Sequence, residues 1–228
     1  LSNPSIISLA LPALDADGIS LSQTPGAAGN LTITGSFATA GVATLTPARR
    51  VAVASDGNDA TKTFTIYGTD RNGNAQIETI TGVNISSVGS QLDFLTVTRV
   101  AVDAATAGAI TVGTNGTGST EWVLDNYLAS SWALAIAVST GGTVTYTVEA
   151  TYDDPNKIGT SLVVMPEQFS NEPGGYVPAK AWPKSDMTAK TADAVAIYDN
   201  HPIFAHRLTI TEGTARATMQ SIQAGIIS

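Results

Sequence analysis

The chain has 228 residues, with 11 Lys and Arg against 19 Asp and Glu; the net charge of −8 excludes the basic surface that neutralises nucleic-acid phosphates. It contains no cysteine, which removes disulfides, thiolate zinc sites, Fe–S clusters and cysteine nucleophiles together. Charged residues are 13% of the chain and apolar ones 43%, so neutral Ser, Thr, Asn and backbone must solvate much of the surface, a composition suited to packed assemblies.

Residues 1–29 read as an N-terminal arm. The stretch Leu1 to Leu14 is apolar but carries Pro4 and Pro12 and no preceding basic residues, which argues against a signal peptide. Its apolar residues Ile6, Ile7, Leu9, Leu11 and Leu14 are expected to order by burial on a partner surface, because the arm alone would gain little by folding back. Strands are expected at Asn30 to Phe37 and Arg50 to Ala54, followed by a turn at Asp56-Gly57-Asn58-Asp59. Lys62 to Val83 alternates on either side of Asn72-Gly73, the signature of a β-hairpin. Further strands are expected at Asp93 to Val102, Ala109 to Gly113 and Glu121 to Tyr127, with a loop from Gly113 to Gly118.

A domain boundary is placed at residue 128, giving β domains over 30–127 and 128–228. The second opens with Ala133 to Val138, turns at Gly141-Gly142 and returns through Thr143 to Tyr152, where Val144, Tyr146, Val148, Ala150 and Tyr152 share one face. Asp153 to Lys190 reads as a long functional or packing loop. The chain then makes a second expected hairpin, Arg207 to Thr211 with Ala215 to Ile222, across Glu212-Gly213-Thr214. No stretch sustains helical spacing, so the fold class is all-β: antiparallel sandwich or jelly-roll-like architecture in two domains.

Catalytic patterns are sparse. No nucleophile elbow occurs, and His201 and His206 read as structural or solvent-exposed residues. Asp15-Ala16-Asp17-Gly18, Asp56-Gly57-Asn58-Asp59 and Asp153-Asp154 offer carboxylates but no complete calcium loop, so the reading is turns and no metal or other cofactor. Aromatics are only 6% of the chain, which weakens a carbohydrate-binding or glycosidase reading; Trp122, Trp132 and Trp182 are expected at a core or subunit contact. The longest apolar run, Trp132 to Val138, is strand length and cannot span a membrane as a helix.

The run from Val144 to Asn156 and the run from Arg207 to Gly225 together resemble a widespread small protein of tailed bacteriophages. Arg49-Arg50-Val51-Ala52-Val53 and Phe64 to Asn74 are also similar to phage virion proteins. The resemblance implies a non-enzymatic virion structural role: a capsid decoration, or cement, protein on the capsid surface. The expected partners are the major capsid protein and, because a low-charge surface is cheap to desolvate and repeated capsid sites favour symmetric association, further copies of itself as a trimer. The resemblance equally admits a neck, tail or head-fibre component.

Overall fold

The computed structural model describes residues 4–125, 133–155, 180–199 and 203–224. In chain order the strands are β1 (Ser5–Leu9), β2 (Ser20–Gln23), β3 (Gly29–Asn30), β4 (Ala38–Thr39), β5 (Val42–Asn58), β6 (Thr63–Thr69), β7 (Ala75–Thr81), β8 (Asn84–Val102) and β9 (Ile110–Thr114). They continue as β10 (Gly118–Ser119), β11 (Val123–Leu124), β12 (Ala133–Thr140), β13 (Val144–Thr151), β14 (Trp182–Pro183), β15 (Ala194–Asp199), β16 (Ala205–Gly213) and β17 (Ala217–Ala224). Among the described residues the one helical segment is a three-residue 3₁₀ turn, Ser185–Met187. The protein is all-β, and its ladders, β10–β16 aside, run antiparallel.

The chain divides into two units, one continuous from Ala13 to Gly118 and one split between Leu1–Pro12 and Ser119–Ser228. The first twelve residues therefore belong with the second half of the chain, and the boundary falls nine residues before the expected one. An arm of 29 residues is not what the structure contains: its start is a strand of the split unit, and its end supplies β2 and β3 to the continuous unit.

In the continuous unit the strands follow the order β2-β9-β5-β8-β6-β7, with β3 on β8 and β4 on β5. β5 and β8, of 17 and 19 residues, are long enough to serve both halves of this sheet, and three register shifts along their pairing let them bend around one core. Pro47 falls within one of these shifts, between Thr44 and Arg49, where a missing N–H breaks no ladder bond. The β6–β7 hairpin forms in the expected place, with Asp70 Oδ1 accepting from the Asn72 and Asn74 N–H groups and Gly73 at φ +83°. Leu31 to Phe37, expected as a strand, makes no ladder, although Leu31 and Ile33 alternate into the core as the pattern demands.

The split unit is a two-sheet sandwich. One sheet has the order β1-β17-β12-β15; the other has β10-β16-β13-β14 with β11 on β16. Leu134, Ile136 and Val138 from the first sheet meet Val144, Tyr146, Val148, Leu208 and Ile210 from the second in a single core. Neither expected turn here makes a hairpin. β12 and β13 lie in different sheets, as do β16 and β17, so Gly141-Gly142 and Glu212-Gly213-Thr214 are arches that cross the sandwich side by side. Alternation fixes which face of a strand is buried; it leaves open which strand becomes the neighbour, and an arch satisfies the same pattern as a hairpin.

Candidate interaction surface

β1 pairs antiparallel with β17 from Ser5↔Ser221 to Leu9↔Ala217. The strand's period of two turns Ile7 and Leu9 inward, and Leu9 and Leu11 are members of the split unit's own core. These three residues are thus committed within the subunit, contrary to the expectation that the arm reserves them for a partner. Ile6 points outward and Leu14 is exposed. Trp182 is exposed on β14, with the Lys180 ammonium 4.4 Å from its ring centre. Trp122 is half-buried beneath the Arg207 guanidinium, 4.5 Å away. Trp132 lies outside the described residues, as does His201.

His206, which the sequence leaves as an isolated histidine, is fully buried. Its Nδ1 lies 3.0 Å from Asp125 Oδ2, and both side chains are almost wholly removed from solvent. Burial raises the Asp125 carboxyl above its ordinary value, opposed by the hydrogen bond and charge of His206. Nearby on β16, Arg207 Nε donates to Glu149 Oε2 at 2.7 Å, Thr209 Oγ1 donates to the same oxygen at 2.8 Å, and the Thr209 and Ser119 hydroxyls are in hydrogen-bond contact at 3.0 Å. This polar cluster ties β16 to β13 and to the chain entering the unit. A hydroxyl positioned on His206 Nε2, which nucleophilic chemistry would require, is not found among the described residues.

In the continuous unit the carboxylates act on backbone. Asp59, completely buried, accepts from the Ala107 N–H at 2.7 Å, the Gly108 N–H at 3.2 Å and Ser55 Oγ at 2.6 Å. Burial opposes its ionisation, yet these donors hold its carboxyl below the usual range. Asp56 Oδ1 accepts from the Ala109 N–H, Asp15 from Ser36 Oγ and the Asp17 N–H, and Glu78 from the Gln91 and Leu92 N–H groups. The turns that resemble calcium loops are therefore clasps between distant loops. Among the described residues no group of three His, Asp or Glu side chains converges as a metal site. Arg49 is buried with its guanidinium 4.9 Å from the Phe37 ring centre, and burial lowers its proton affinity, opposed by the charge of Asp15.

The outer face of the β1-β17-β12-β15 sheet is of another kind. Its cross-strand rows run Ile6–Gln220–Ala137–Val195 and Ile222–Ala135–Ile197, followed by Ser8–Thr218–Ser139. No Asp, Glu, Lys or Arg is in these three rows; the next row at the same parity, Ala224–Ala133–Asp199, brings one acid at the β15 edge. β12 is apolar on both faces, the reading expected of a strand covered on both sides. That signal is present in the run Trp132 to Val138, but it gives strand length before it gives a surface.

No family model matches the chain, and no curated protein matches it. Among solved structures it is similar to a protein assigned as secreted from Parabacteroides distasonis, at 12% identity and a TM-score of 0.24, over 99% of this chain and 90% of that one. It is similar at 11% identity and a TM-score of 0.22 to the major capsid protein P2 of bacteriophage PM2, over 98% of both chains. A structure of infectious bursal disease virus, Gx strain, gives 11% and 0.22 over 98% of this chain and 70% of that one. Scores this low do not establish a shared topology, and none says what this chain does.

Proposed function

We propose that the protein is a non-enzymatic structural component of a bacteriophage virion, a capsid decoration protein that binds the major capsid protein at the capsid surface as a homo-oligomer. The observation that carries this reading is the use of its ionisable side chains. Asp15, Asp56, Asp59 and Asp70 are engaged in holding backbone N–H groups of turns and loops, Glu78 in holding two N–H groups of β8, and Glu149 in joining strands. A chain whose charges fasten its own backbone, with exposed aliphatic residues gathered on one sheet face, is built to persist and to pack. The resemblance of the Val144 to Asn156 and Arg207 to Gly225 runs to a tailed-phage protein supplies the virion context.

The test compares phage shells prepared with and without the protein. Added protein is expected to co-sediment with shells of the major capsid protein and to raise their rupture temperature. Failure to bind intact shells, under conditions where the protein remains folded, would sink the decoration role.

A further inference from the structure

We infer that the outer face of the β1-β17-β12-β15 sheet is a self-association surface, and that its occupant is the same face of a second copy of this chain. Val195, Ile6, Ile197 and Ile222 are 72%, 64%, 54% and 40% exposed on it, an unusual concentration of large aliphatics for one sheet face. Between them β12 presents only small side chains, Ala135 and Ala137, in the two rows that hold these aliphatics and Gln220.

Charge narrows the choice of occupant. Two copies each carrying −8 repel through most approaches, and the rows through Ala135, Ala137 and Ser139, which hold no charged residue, are where that repulsion is weakest and desolvation cheapest. Shape narrows it further. A two-fold axis lying along the strands through the middle of the sheet sets β17 of one copy on β12 of the other, and β15 on β1. Cross-strand rows are preserved by that rotation, so Ile222 meets the small Ala135 and Val195 meets Ile6, reciprocally. Aligned sheet-on-sheet packing of this type is the same arrangement that forms the core of the sandwich itself.

The area is adequate. Strands of 5, 8, 8 and 6 residues, spaced about 4.8 Å apart with about 3.4 Å per residue, cover roughly 440 Å² per copy. A pair thus buries about 900 Å², at the small end for a specific interface, which predicts a dimer that dissociates on dilution. The contact is isologous and pairs copies; the expected trimer would need a different face. It requires no capsid, so it stands or falls separately from the virion reading.

Sedimentation of the full chain from micromolar to millimolar concentration tests it, alongside Val195→Glu and Ala135→Glu. Val195 lies at the exposed rim, so its variant is expected to fold with unchanged circular dichroism. The wild type is expected to move from one chain to two, and each variant to weaken pairing at least about tenfold, because the new carboxylate would be buried unpaired. Ile77→Glu, an exposed apolar position in the continuous unit, is expected to leave pairing unchanged. A wild type that stays monomeric throughout, a limiting mass of three chains, or a folded Val195→Glu protein that pairs like the wild type overturns the inference.

Discussion

The continuous and split units are written in the same Thr-rich alternating code, yet they use charge differently. In the continuous unit, single carboxylates reach across the chain to backbone: Asp59 holds Ala107 and Gly108, 48 and 49 residues away. In the split unit Asp193 and Asp153 also reach backbone, at Thr140 and Lys180, but other carboxylates bind side chains, Asp125 with His206 and Glu149 with Arg207. The central rows of one outer sheet face of that unit hold no charged residue. The difference follows from architecture. Long strands linked by wide loops leave buried loop N–H groups that need an acceptor, whereas a sandwich closed by short arches satisfies its backbone in the ladders.

The sharpest way to break this comparison is to damage one core alone. The clusters around Phe94 and around Ile136 share no residue. Phe94→Ala is expected to destabilise the continuous unit by about 3–5 kcal/mol and to lower one calorimetric transition while leaving a second in place. A single transition that moves as a whole would show that the units do not unfold separately.

Next in size is the clasp. Asp59→Ala leaves two loop N–H groups without their acceptor and should cost the continuous unit about 2–4 kcal/mol in denaturant unfolding. The sign of its pH dependence is fixed. A folded-state value held below the unfolded one gives stability that is fully present above about pH 4 and is lost as pH falls through the depressed folded value. Acid should therefore weaken the wild-type continuous unit, and should do so less in Asp59→Ala.

The turns differ more modestly. Gly73, in the hairpin, and Gly213, in an arch, both have positive φ, at +83° and +88°. A Cβ on Gly73 meets open space, while one on Gly213 would stand 2.5 Å from the Thr143 carbonyl oxygen and 2.9 Å from Val144 Cα. Gly73→Ala is expected to cost about 1–2 kcal/mol from its backbone alone, and Gly213→Ala distinctly more. Equal losses would remove the distinction between an open hairpin and a stacked arch.

These particulars show what the sequence can and cannot convey. Period-two alternation correctly places Phe64, Ile66, Val144, Tyr146 and Val148 inside, because a strand's geometry assigns faces locally. The Asn-Gly turn of the β6–β7 hairpin is legible for the same reason. Pairing is not local: β1 meets β17 across a separation of 210 residues at the Ser8–Thr218 hydroxyl contact, and no pattern within residues 1–14 names that neighbour. The same blindness makes a hairpin of the Glu212-Gly213-Thr214 arch. His206 reads as isolated because Asp125 lies 81 residues earlier, and Asp59 reads as a turn former because its donors are beyond the turn. Of the outward-facing residues, Ile6 alone figures among the expected contact residues, since Val195, Ile197 and Ile222 are assembled into one face only by the sheet order.

The smallest expected effect has the opposite sign to the clasp. Burial raises the Asp125 carboxyl, so the unfolded chain releases this proton first as pH increases. Its contribution to the split unit is greatest below about pH 4 and declines as pH rises through the raised folded value. Asp125→Asn should flatten that decline, measured as the slope of the split unit's unfolding free energy against pH. A slope unchanged by the substitution would assign the decline to other groups.

The central functional claim is that this chain coats a shell, and counting copies tests it most directly. Quantitative mass spectrometry of purified, nuclease-treated particles against the major capsid protein gives the ratio. A decoration protein predicts hundreds of copies per particle in a fixed ratio to the shell protein; a dozen or fewer would assign it to the neck, tail or a fibre, and absence from the particle would contradict the virion role itself.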